Sequence, residues 1–126
     1  MIELIRFNRR INLHYDTWAS IRHVGENFGW LPQGTERPDD SYQDWDGNYG
    51  SNDRQRVRTA DAIALSEALA QALEVYRLVR MHEDNERIGS EMQALGQAAG
   101  LLGKDFDPDV AEEVKQFFSL GGCVIR

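Results

Sequence analysis

Apolar and polar residues alternate at both ends of the chain, and this pattern limits the fold more than any other feature. Residues 2–4 and 11–15 alternate on either side of Asn8-Arg9-Arg10, which predicts a β-hairpin with one buried face. The closing "CVIR" predicts a further strand. A lone hairpin is marginally stable in water, so we expect the terminal strand to pair with it.

Helical spacing of apolar residues dominates the chain between these ends. It predicts helices over 17–28 and 60–82, a weaker one over 85–102, and a final helix after Asp107-Pro108 that stops at Gly121. Asp16, Thr59 and Asp107 are the expected N-caps. The fold class predicted is α+β: a small antiparallel sheet from the N-terminal hairpin and the C-terminal strand, packed by about four helices in a single domain over 1–126.

Bulk charge and composition exclude some functions. The chain has 126 residues and a net charge of −7, which disfavours nucleic acid because phosphate contacts need lysine and arginine. The same charge fits a basic protein partner, or simply a well-solvated surface. One cysteine, Cys123, and no apolar run of membrane length predict a cytoplasmic protein without a membrane partner.

Residues 31–58 form a long connection broken by proline and glycine. Within it, "SYQDWDGNYGSND" (41–53) combines aromatic, acidic and turn-forming residues. Aromatic side chains often anchor protein interfaces, and acidic neighbours favour a basic partner. We therefore predict a recognition surface formed by Trp30, Asp44, Trp45, Asp46, Tyr49 and Asp53. The alternative is that the aromatic rings fix the loop to the core.

The same stretch also suggests a cation site. With Gly47 at position 6 of the EF-hand loop, three aspartates fall on ligand positions, but Tyr42 at position 1 has no carboxylate and the flanking helices are missing. An EF-hand is therefore disfavoured. A looser Ca²⁺ or Mg²⁺ site remains the alternative, with Asp44, Asp46, Asn48, Asn52 and Asp53 as ligands; otherwise these residues make turns.

No set of residues predicts catalysis or a cofactor. "HEDNE" at 82–86 lacks the second histidine of a zinc motif, and Cys123 has no evident base. The arginines of "RQRVR" (54–58), a short predicted strand, could bind an anion, but pairing with neighbouring aspartates is the expected use. Two carboxylates in one pocket, or His14 beside His23, would favour an enzyme instead.

Four motifs give the chain a resemblance. "GWLPQGT" (29–35), "WDGNYGSNDRQRV" (45–57), "DAIALSEAL" (61–69) and the closing "FFSLGGCVIR" resemble a group of small uncharacterised bacterial proteins with GW-x-P-x-GT, W-x-G-x-Y, N-D-G-Q-x-V and DA-x-x-L patterns. The chain departs from them at Arg54, where the pattern has glycine. The resemblance implies a similar fold, and it assigns no activity to this chain.

These observations predict a small acidic module of bacterial type that binds a protein, in an immunity-like or regulatory role. Binding of a divalent cation by the loop is the alternative. The alanine-rich helix face at 62–72 suits a homodimer as well as a core.

Overall fold

Both ends of the chain enter one antiparallel sheet, as the alternation predicts. The computed structural model describes residues 1–35, 47–50 and 54–126. Its strands are β1 (Ile2–Arg6), β2 (Arg9–Leu13), β3 (Gln55–Arg56) and β4 (Val124–Ile125). They lie in the order β2-β1-β4-β3, so the C-terminal strand pairs with the hairpin on one side and with the predicted short strand on the other.

One face of the sheet supplies part of the core. The register places Leu4 opposite Ile11 on one side and opposite Ile125 on the other, and Ile125 opposite Gln55. All four side chains are buried. Because side chains alternate along a strand, the next row points away from this core.

Within the described residues, four helices complete the fold: α1 (Tyr15–Asn27), α2 (Thr59–His82), α3 (Gly89–Ala98) and α4 (Pro108–Ser119). The α2 helix packs against each of the other three. On its predicted alanine-rich face, Ala62, Ala68 and Ala72 are buried in the chain's own core. The α+β prediction is confirmed, and the face suggested for a homodimer is covered within the chain.

Two of the three predicted helix caps need correction. The α1 helix begins at Tyr15 with His14 at the N-cap position, so Asp16 lies in the first turn rather than capping the helix. Thr59 is likewise the first residue of α2, after Arg58. Near the end of the chain, Asp107 is confirmed as a cap, since its side chain accepts hydrogen bonds from the backbone N–H groups of Asp109 and Val110.

The hairpin turn lies one residue earlier than predicted. Arg6 pairs with Arg9, so Phe7 and Asn8 form a two-residue turn and Arg9 and Arg10 belong to β2. Phe7 has a φ of 52°, a left-handed conformation in which a bulky residue is unusual. Arg54 also has a positive φ, 61°, a backbone conformation that favours glycine.

Candidate functional site

A buried carboxylate joins the segments that the sequence marks as functional. Asp61, in the first turn of α2, is only 4% exposed. Its Oδ1 accepts a hydrogen bond from the N–H of Gln33 at 3.0 Å, and its Oδ2 accepts from the N–H of Gly34 at 3.0 Å and from the hydroxyl of Tyr49 at 2.7 Å. These donors compensate the carboxylate for the water it loses on burial. We call these residues, with Trp30, the Asp61 network.

Tyr49 is bound in this network through both its side chain and its backbone. Its side chain is 0% exposed, and its hydroxyl also accepts a hydrogen bond from the N–H of Arg58 at 3.2 Å. Its backbone is held as well, because Trp18 Nε1 donates to its carbonyl at 2.7 Å and its N–H donates to Gln55 Oε1 at 2.9 Å. Burial, and then the hydrogen bond to Asp61, raise the pKa of Tyr49 to about 12.

Trp30 completes the network from the other side of the carboxylate. It is 2% exposed, and its Nε1 donates to the backbone carbonyl of Asp61 at 3.0 Å. Its ring stacks on Tyr49 with 6.2 Å between centroids and 20° between planes. The network therefore ties the start and the end of the long connection to the first turn of α2.

Two glycines bring those ends into direct contact. The N–H of Thr35 donates to the carbonyl of Gly47 at 2.8 Å. A Cβ on Gly34 would collide with the backbone of Gly47, and one on Gly47 would collide with the backbone of Thr35. Gly34 also has a φ of +82°, which favours glycine. We call Gly34, Thr35 and Gly47 the neck, because Thr35 and Gly47 are the described residues on either side of residues 36–46.

The burial of Trp30 and Tyr49 corrects the prediction that their side chains form a recognition surface. Their rings pack on each other, and their polar atoms bind within the protein, so neither ring offers area to a partner. For these two residues the core alternative describes the structure. Sequence reasoning placed Asp61 in a first helical turn but missed its role, although the DA-x-x-L motif marks its position.

The other predicted site residues divide into two groups. Asn48 is exposed, and its Oδ1 accepts a hydrogen bond from the N–H of Gly50 at 2.8 Å, which is the turn-forming use of asparagine. Asp44, Trp45, Asp46, Asn52 and Asp53 lie outside the described residues, so their roles stay predictions. Over residues 1–35, 47–50 and 54–126, no three histidine, cysteine or acidic side chains are grouped to hold a metal ion.

Two cavities open elsewhere on the surface. The first, of about 400 Å³, lies at the end of the sheet where β4 begins. The second, of about 480 Å³, is lined by two carboxylates and a histidine, with the residues Asp16, Ser20, His23, Lys104 and Asp105 among its walls. It does not include His14. It brings two carboxylates together, but no hydrogen bond described in the structure links a nucleophile to a base there, as nucleophilic catalysis requires.

Cys123 lies in the wall of the first cavity as a buried free thiol. Burial raises its pKa to about 12, although nearby Arg6 opposes this shift. A thiol with so high a pKa is protonated at neutral pH and is a poor nucleophile. This environment is that of a buried structural thiol.

Comparison with known proteins gives no relative: no family model, curated protein or solved structure matches the chain. Within the described ranges, no helix combines the length and apolar character needed to cross a membrane. The structure itself explains the motifs that carry the resemblance. Trp30, Gly34, Gly47, Tyr49 and Asp61 are motif positions, and all of them belong to the Asp61 network or the neck.

Proposed function

We propose that this chain is a small protein-binding module of bacterial, cytoplasmic type, with an immunity-like or regulatory role. In this proposal, residues 36–46 contact a basic partner. The observation that carries it is the neck, where Thr35 and Gly47 are joined by a 2.8 Å hydrogen bond. Loops of roughly 6–16 residues whose ends lie close together are frequently functional.

The composition of residues 36–46 supports a basic partner. Five acidic residues stand against one arginine, and the segment also contains Tyr42 and Trp45. Aromatic side chains supply contact area at interfaces, whereas the charges direct the encounter. Asp44 and Asp46 flank Trp45 in the sequence, which places both kinds of group side by side.

The Asp61 network supports the proposal through the entropy of binding. Gln33, Gly34 and Tyr49 are held by one carboxylate, so the two points from which the segment departs have fixed positions. A fixed base reduces the ordering that a partner would otherwise have to impose. The buried aromatic rings thus contribute indirectly, by holding the base of the loop.

A charge-matched pair of variants tests this proposal. One variant combines Asp39→Asn, Asp44→Asn and Asp46→Asn. Its control combines Glu67→Gln, Glu91→Gln and Glu113→Gln, which removes the same charge from exposed helical positions. We expect the wild type and the control to capture the same basic protein from the host's lysate, and the loop variant to lose it.

Quantitative mass spectrometry of the captured proteins gives the readout. Equal loss of capture from both variants would show that only net charge matters, and would contradict the role of the loop. An arm with EDTA addresses the cation-binding alternative. We expect EDTA to leave capture unchanged, whereas loss of capture with EDTA would favour a metal site.

A further inference from the structure

The cavity at the end of the sheet has a charge opposite to that of the whole chain. Among the residues that the structure describes, its lining includes Arg6, Arg56 and Arg58, with Thr59 beside them, and no acidic residue. The chain overall has 21 acidic and 14 basic residues. A wall with three arginines and no carboxylate is therefore a local feature that the net charge does not predict.

The sheet topology explains why Arg6 and Arg56, which are far apart in the sequence, line the same cavity. Strands β1 and β3 both pair antiparallel with β4, so the ends of both strands lie beside the beginning of β4. Arg6 closes β1, and Arg56 closes β3. Gly122 approaches the backbone of Val57 so closely that a Cβ would collide with the carbonyl of Val57.

Arg6 is held in a fixed position at this wall. Its Nη1 donates to the carbonyl of Phe117 at 2.5 Å and to that of Gly121 at 3.2 Å, which caps the end of α4. Its guanidinium also lies 4.2 Å from the centroid of the Phe117 ring. Its Nη2 is buried and has no hydrogen-bond partner among the described residues. Because Arg6 is the neighbour of Ile5 on β1, its side chain lies on the core face of the sheet. Arg6 therefore adds positive charge near the cavity, but it donates no hydrogen bond into it.

Arg56 and the start of α2 supply the donors of the cavity. Arg56 is exposed and lies in the same cross-strand row as Ile5 and Val124. The α2 helix begins at Thr59, and Arg58 at its N-cap position donates from its Nε to Gly34 and does not cap the helix. The N-terminus of a long helix carries N–H groups and a partial positive charge that suit an anion, and Asp61 in the same turn offsets part of that charge.

We propose that this cavity binds a small organic phosphate, specifically a phosphate monoester. A phosphate group has three terminal oxygens and up to two negative charges, so it can accept hydrogen bonds from several donors at once. Ile5, Val57 and Val124 also line the cavity and provide apolar contact for the organic part. Its volume of about 400 Å³ is within the range of small-molecule sites. Arg58 is linked to the neck, because its Nε donates to the carbonyl of Gly34. Binding of a phosphate in this cavity does not require a protein partner at residues 36–46, so the inference does not rest on the proposed function.

Arg10 offers a matched control for Arg56. Both are exposed arginines in the row Arg10, Ile5, Val124, Arg56, and they stand at its opposite ends. Arg10 does not line the cavity, and it lies 3.5 Å from Glu3. Arg56→Gln and Arg10→Gln therefore remove the same charge from the same face of the sheet, inside and outside the cavity.

Isothermal titration with phenyl phosphate, inorganic phosphate and benzoate tests the inference. We expect phenyl phosphate to bind one to one and more tightly than either other probe. Loss of a charged hydrogen bond should weaken it by about tenfold in Arg56→Gln, whereas Arg10→Gln should bind as the wild type does. Absence of binding, equal weakening by both substitutions, or benzoate binding as tightly as phenyl phosphate would each overturn the inference. Denaturant unfolding of both variants verifies that they fold equally well.

Discussion

The Asp61 network and the arginine cavity use similar groups in opposite ways. In the network, a buried carboxylate accepts three hydrogen bonds from donors that are themselves held in place. In the cavity, the side chain of Arg56 is exposed on the outer face of the sheet. Satisfied polar networks fix one conformation of a core, whereas an exposed guanidinium at a cavity suits a ligand. Burial and hydrogen bonding of the charged groups therefore distinguish the network from the cavity.

The largest effect should come from removing a ring of the network. Trp30→Ala deletes a buried side chain that stacks on Tyr49 and donates to Asp61, so we expect a loss of about 3–5 kcal/mol in the free energy of unfolding. Its neighbour Leu31 is 87% exposed, and Leu31→Ala should change this free energy by less than about 0.5 kcal/mol. Urea denaturation measures both. Similar losses of free energy of unfolding in the two variants would contradict the difference expected between the buried network and the exposed surface.

A smaller effect is expected at the neck. Gly47→Ala places a Cβ against the backbone of Thr35. Because these backbone atoms must move to make room, we expect the free energy of unfolding to fall by about 1–3 kcal/mol. Gly103→Ala is the control, because nothing lies within 4 Å of a Cβ at that position. Thermal unfolding should show a lower Tm for Gly47→Ala alone. An unchanged Tm would mean that glycine at position 47 is not needed for the close approach.

The smallest effect should have the opposite sign and lies at the rim of the cavity. Phe7 is 96% exposed with a φ of 52°, so Phe7→Asn loses no burial and gains a residue that tolerates this conformation. We expect the free energy of unfolding to rise by about 0.5–1 kcal/mol. Leu120→Asn, at another exposed apolar position, should leave it nearly unchanged. A destabilised Phe7→Asn variant would show that Phe7 supports the fold.

Periodicity was enough to predict the fold class, because each strand and helix is encoded in neighbouring residues. It failed where one residue decides a local geometry: the turn lies at Phe7-Asn8, although asparagine and arginine suggested residues 8–10. It also failed for the network, because Asp61 meets Gln33 and Gly34 across 28 and 27 positions, and no local pattern records such a contact. The sequence likewise could not decide whether Trp30 and Tyr49 face the core or a partner.

The arginines show the same limit in the cavity. Arg6 and Arg56 come from opposite parts of the N-terminal half, and the strand between them comes from the C-terminus. Their proximity depends on strand order, which the sequence left open beyond the pairing of the two chain ends. The expectation that the arginines of 54–58 pair with aspartates rested on sequence neighbours alone.

The most direct test of the network is the pH dependence of Tyr49→Phe. This substitution removes the hydroxyl that donates to Asp61 and accepts from Arg58, so we expect a loss of about 1–3 kcal/mol at neutral pH. The pKa of Tyr49 is raised from 10.0 to about 12 in the folded protein. The folded state therefore holds this proton more tightly than the unfolded state, and the resulting stability is complete below pH 10 and is lost as the pH rises toward 12.

The measurement is the free energy of unfolding of the wild type and of Tyr49→Phe, in urea, from neutral pH upward. Phenylalanine has no proton to lose, so we expect the gap between the two proteins to be constant below pH 10 and to narrow above it. A gap that is absent at neutral pH, or that keeps its size above pH 10, would contradict a buried hydrogen bond between Tyr49 and Asp61.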